Sequence, residues 1–100
     1  MCKINILPSA WADLTTIEDW YTLEFSQETG AKVIESILKS LEYLELFPES
    51  GSYLPYKRLT AQGYRMVLSG QHVSIYKVIG KEIFVYRIVN IKTEYTRIFH

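Results

Sequence analysis

Residues 63–91 read GYRMVLSGQHVSIYKVIGKEIFVYRIVNI, and this stretch decides the fold. At Gly63 the spacing of apolar residues changes from helical to extended. Residues 64–68, 72–78 and 82–91 read as three strands, the last especially rich in β-branched and aromatic side chains. Ser69-Gly70 and Ile79-Gly80-Lys81 separate them with connections short enough only for hairpins. Two hairpins in succession make a three-stranded antiparallel meander.

Working toward the N-terminus, residues 52–62 carry Pro55, Lys57 and Arg58 and read as a loop, and Pro48-Glu49-Ser50-Gly51 is turn chemistry. Before that corner, Ala31, Ile34, Ile37, Leu38, Leu41 and Leu44 recur at steps of three and four. This spacing predicts a helix, capped at its start by Ser26, carrying Glu28 in its first turn and closed by Phe47-Pro48. Trp11, Leu14, Ile17, Tyr21 and Phe25 form another such stripe and predict a helix over about residues 9–25, with Ser9 as its N-cap. Residues 2–7 alternate weakly and predict a strand, ended by Pro8 and placed beside the last strand of the meander. Residues 92–100 form a tail in which Tyr95, Ile98 and Phe99 are expected to dock. The result is a single α+β domain over residues 1–100. An N-terminal helical hairpin packs on a small antiparallel β-sheet in the order β-α-α-β-β-β.

The hairpin buries one sheet face. On the last strand, Phe84, Tyr86 and Ile88 alternate with Ile83, Val85, Arg87 and Val89, so both faces are largely apolar. The uncovered face is therefore expected to expose apolar surface punctuated by arginine, which marks a binding site.

Composition narrows the possible partners. With 100 residues, 48% of them hydrophobic, the chain is globular and has one thin core. No apolar run approaches the roughly 20 residues of a membrane span, and the first residues are too polar for a signal peptide. With Cys2 as the lone cysteine, a reducing cytoplasm is expected. The net charge of zero conceals a division. Residues 1–50 hold three lysines against nine acids, a balance of −6; residues 51–100 hold eight bases against two acids, a balance of +6. Such a basic half favours an acidic or polyanionic partner. No metal-ligand cluster, Ser–His–Asp set or glycine-rich phosphate loop is visible, so neither metal nor cofactor is expected.

The order of elements and several short segments resemble the RelE/ParE superfamily of type II toxins. They are Ala12-x-Leu14-x-x-Ile17 followed by Tyr21; Leu44-x-x-Phe47-Pro48-Glu49-Ser50-Gly51; Gly63-Tyr64-Arg65; Val73-x-Ile75-Tyr76-x-Val78; and Ile83-x-Val85-x-Arg87-Ile88-Val89. The resemblance implies a bacterial growth inhibitor associated with plasmid stabilisation. A cognate antitoxin, small, acidic and partly disordered, would wrap it and hold it inactive. It also implies one of two targets: DNA gyrase, bound and blocked without chemistry, or the ribosome, where RelE-like members cut mRNA.

Cleavage of RNA through a 2′-hydroxyl needs an acid, a base and a cationic clamp on the phosphate. Arg65, which matches the arginine of the family's second strand, and Arg87 are the clamp candidates and could share a face. Lys57 and Arg58 add phosphate- or target-binding charge. Tyr95 falls near a tyrosine or histidine kept by some ribonuclease members, and would join Arg65 and Arg87 if the chain were an mRNA endoribonuclease. His72 and Glu49 read as a surface residue and a solvated turn acid, and His100 as a terminal one. Asn90 stands where many members have histidine and can act neither as acid nor as base. The neutral overall charge also departs from strongly basic ribosome-docking toxins. These features favour a ParE-like inhibitor that acts by binding, with the RelE-like nuclease or an inactive interaction module as alternatives. Arg65, Val67 and Val85 are the expected antitoxin contacts.

Overall fold

A computed structural model describes residues 1–54 and 57–92. The elements are β1 (Lys3–Ile6), α1 (Pro8–Glu24), α2 (Gln27–Leu46), β2 (Ser52–Tyr53), α3 (Lys57–Ala61), β3 (Arg65–Ser69), β4 (His72–Ile79) and β5 (Glu82–Asn90). They form an α+β fold with one sheet in the order β1-β5-β4-β3-β2. The expected meander is β3-β4-β5, and β1 lies beside β5 as anticipated. The sheet is nevertheless mixed, because β1 runs parallel to β5. A parallel neighbour requires a crossover, and the chain between these two strands supplies one through the helices.

Both helices form where the apolar stripes place them. Ser26 caps α2 by accepting from the Thr29 N–H at 3.1 Å. Ser9 does not cap α1. The cap position is Leu7, with Pro8 in the first turn, where its fixed φ and missing N–H cost nothing. Gly30 lies buried inside α2, where a Cβ would stand 2.6 Å from Thr22 Oγ1 and 3.0 Å from the Glu18 carbonyl. Its lack of a side chain lets α1 and α2 approach closely.

Two apolar clusters sandwich the sheet. On the helical side, Ala10, Leu14, Ile37, Leu41 and Leu44 pack on Tyr76, Ile83, Val85 and Ile88. At about 1.5–3 kcal/mol for each large side chain buried, this cluster is the main source of stability. The opposite side is not bare. Leu54 and Leu59 pack there with Tyr64, Val73, Ile75 and Val89. The expectation of a loop over 52–62 and of an uncovered apolar face is thus corrected: a short strand and a short helix fold back over part of it. Lys77 Nζ sits 4.3 Å from the Tyr64 ring centroid on this side and 5.9 Å from that of Tyr86.

A β-bulge breaks the register between β4 and β5. Tyr76 opposes Val85 while Ile75 opposes Arg87, so Tyr86 is the extra residue. Beyond it the simple alternation no longer holds, and Ile88 joins the helical-side cluster while Val89 joins the other.

Ser74 is a local exception to good packing. Its partners across the ladder are Val67 and Ile88, and its buried hydroxyl has no hydrogen-bond partner. Ser74→Ala is expected to raise stability by about 1 kcal/mol, since an unmade buried hydrogen bond is removed rather than a made one. A higher urea midpoint at unchanged slope would register it.

Candidate functional site

The register separates the two candidate clamp residues. Arg65 opposes Tyr76, which belongs to the helical-side cluster, whereas Arg87 opposes Ile75, which belongs to the other. Their register positions therefore fall on opposite sides, and their charged groups do not converge: that of Arg87 reaches Asp13 on α1 and that of Arg65 the corner after α2, which corrects the expectation of a shared clamp. The bulge at Tyr86 is the physical cause: one inserted residue reverses the alternation that would have aligned them.

Each arginine is also engaged by its own chain. Arg87 Nε and an Nη donate to both oxygens of Asp13 at 2.7 and 3.0 Å, and the Ile88 N–H donates to the same carboxylate at 2.9 Å. One acid on α1 thereby fixes the guanidinium and satisfies an N–H on β5. The Asp13 hydrogen bonds hold the guanidinium even higher than its ordinary range, burial opposing. Arg65 donates to the carbonyls of Glu49 and Gly51 at 3.1 and 2.9 Å and to the Tyr53 hydroxyl at 2.8 Å. Its guanidinium also lies 4.1 Å from the Tyr53 ring centroid. It ties the corner after α2 to the sheet.

Tyr76 reinforces that corner. Its hydroxyl donates to the Pro48 carbonyl at 2.9 Å and accepts from the Gly51 N–H at 3.0 Å. Burial pushes its ionisation upward, opposed by the Gly51 hydrogen bond and the nearby Arg65 charge. Pro48-Glu49-Ser50-Gly51 is thus a turn stapled from below by a core tyrosine.

Among the other candidates, Lys57 and Arg58 are exposed on α3. Val67 is half-buried against the helical-side cluster. Val85 is wholly buried and offers a partner no surface, which corrects its assignment as an antitoxin contact. The reason is its inward register opposite Tyr76. Tyr95 and His100 lie outside the described residues.

At the other end of the hairpin, a cleft of about 510 Å³ is lined by Trp20, Tyr21, Phe25, Gln71, His72 and Asn90. His72 is not the surface residue expected at a strand start. It is only 7% exposed, it opposes Asn90, and its ring meets Tyr21 edge-on at 5.8 Å. Burial lowers its proton affinity, because a charged imidazole is poorly solvated there. The folded protein therefore binds fewer protons at His72 than the unfolded chain. This contribution to stability is full above about pH 6.5 and is lost as pH falls through that value. Denaturant midpoints measured from pH 7.5 to 5 should fall, with a shallower fall in His72→Asn.

Comparison with known proteins agrees with this geometry. The family model for the ParE toxin of the type II toxin–antitoxin system parDE matches residues 4–95, so the chain belongs to the ParE toxin family. It is also similar to a solved structure of the chromosomal ParDE toxin–antitoxin system from P. aeruginosa. The identity is 25% and the TM-score 0.76, over 90% of this chain and 96% of that one. No curated protein matches the sequence. No described helix is long and apolar enough to cross a membrane.

The sequence reading missed three contributors: Asp13, the Tyr76 staple and the cleft around His72. Asp13 stood next to the inward stripe of α1, between Ala10 and Ile17, where an acid needs a partner. That position was the available signal.

Proposed function

We propose that this toxin arrests bacterial growth by binding DNA gyrase and blocking it without chemistry of its own. A small, acidic, partly disordered cognate antitoxin holds it inactive in the cytoplasm. One observation carries the reading: the two arginines required for a phosphate clamp are held apart, Arg87 on Asp13 of α1 and Arg65 on the corner after α2, each engaged by its own chain. RNA cleavage requires cations converging on one phosphate, and this arrangement disfavours it. The neutral net charge supports the same conclusion, since docking on RNA draws on excess positive charge. Lys57 and Arg58, exposed on α3, remain candidates for the target contact, and Arg65 and Val67 for the antitoxin.

The alternative, a ribosome-dependent mRNA endonuclease, has one observation in its favour. The imidazole that nuclease members carry at the position of Asn90 has a counterpart directly across the ladder in His72.

Purified toxin should abolish supercoiling by gyrase at near-stoichiometric amounts and leave mRNA intact in a translating extract. Adding the acidic protein encoded beside it should restore supercoiling. Transcripts cut at codon boundaries with supercoiling unaffected would overturn the gyrase reading. Unaltered growth on inducing the chain alone would remove toxicity altogether.

A further inference from the structure

We infer that the cleft bounded by Trp20, Tyr21, Phe25, Gln71, His72 and Asn90 is a docking site for a tyrosine side chain of a protein partner. The inference stands apart from the choice between gyrase and ribosome.

The walls are aromatic. Trp20 meets Tyr21 edge-on at 4.9 Å and Phe25 at 6.0 Å, and Tyr21 stacks on Phe25 at 6.0 Å. Yet Trp20 and Phe25 remain 53% and 65% exposed, so much of their apolar surface faces solvent. Rigid aromatic rings around a pocket are where protein interfaces concentrate their binding energy.

The floor is polar. His72 is more than nine-tenths buried, and no hydrogen bond to its ring is present among the described residues. Its nitrogens reach the cleft's solvent, so an apolar occupant would strip water from them without replacing those hydrogen bonds, whereas a polar one can. Burial keeps the imidazole neutral near pH 7, so it offers one donor and one acceptor. Asn90 uses its carbonyl oxygen on the Lys92 N–H at 3.0 Å, which leaves its amide group as a further donor.

These features select the occupant. Among the described residues no charged side chain lines the cleft, so none of them holds a phosphate there, and a nucleotide is disfavoured. Leucine or phenylalanine would cover the rings but leave the imidazole unpaired. A phenol supplies a flat apolar body for the rings and a hydroxyl that can donate or accept, which suits either tautomer of His72. The cleft has room for one such side chain and the backbone that bears it.

The test is an NMR titration of the full-length chain with N-acetyl-tyrosinamide, compared with the phenylalanine and arginine analogues and with uridine. Saturable shifts are expected at the Trp20 indole, the His72 imidazole and the Gln71 and Asn90 amides. The Trp11 indole, outside the cleft, should not move. The tyrosine probe should bind about fivefold tighter than the phenylalanine probe, the worth of one hydrogen bond. His72→Phe should erase that difference, and the exposed Trp20→Ala should weaken both probes severalfold. The inference is overturned by absent or scattered shifts, by equal affinity for the two aromatic probes, or by preference for arginine or uridine. It is also overturned if binding emerges only after residues 93–100 are deleted, which would assign the cleft to the chain's own end.

Discussion

Asp13→Ala should destabilise the fold by about 3 kcal/mol, the low end of the range for breaking a buried ion pair. The low end applies because the Arg87 side chain is 34% exposed, although that of Asp13 is only 16% exposed. The substitution leaves a half-buried guanidinium without its carboxylate and the Ile88 N–H without an acceptor. In a chain of this size, such a loss lowers the melting temperature by roughly 10–20 °C. Removing both partners should cost less than the two single changes added together, because most of the penalty is the orphaned charge rather than the lost attraction. Strict additivity in the double variant, read from denaturant midpoints, would show that Asp13 and Arg87 do not act as a pair.

Gly51→Ala should be equally damaging, at about 3 kcal/mol, for a steric reason. A Cβ at this position would fall inside the Tyr76 hydroxyl and 2.6 Å from the Met66 carbonyl oxygen. Neither neighbour can yield cheaply. Tyr76 is fully buried and hydrogen-bonded to Pro48, and the Met66 carbonyl belongs to the β2–β3 ladder region. Tyr76→Phe keeps the ring and removes only the hydroxyl, so it should cost about 1–3 kcal/mol from the unpaired Pro48 carbonyl and Gly51 N–H. The double variant should not recover the Gly51→Ala loss, since the Met66 carbonyl and the Tyr76 ring still obstruct the new methyl. A Gly51→Ala protein as stable as the parent would show that the corner is looser than its contacts imply.

The sequence was most informative where a single periodicity ruled. The stripes through Leu14 and Leu41 placed both helices, and the extended runs from Tyr64 to Ile91 placed the meander, because burial on one face imposes a period of 3.6 or 2 on any stable element. The helix starts were legible where a cap used side-chain chemistry, as at Ser26, and not where a proline in the first turn served instead, as at Pro8. Leu54 and Leu59 were hidden because two leucines within a polar stretch show no period, yet they cover the second sheet face.

The candidate site was less legible. Arg65 and Arg87 could be named from the chain, but whether they converge depended on one bulge residue, Tyr86, and a bulge leaves no mark in composition or spacing. Asp13 and Arg87 are 74 positions apart, and His72 gains its aromatic neighbour Tyr21 only when α1 lies along the end of the sheet.

Fold class, the two helices, the strand order of the meander and the split in charge follow from the chain read alone, because each depends on local propensity and on which residues seek burial. Which polar groups pair, which face each arginine takes and where an imidazole loses its water were decided only by tertiary packing. Those outcomes depend on ångström distances between residues remote in sequence, and hydrogen bonds and desolvation act only at such distances.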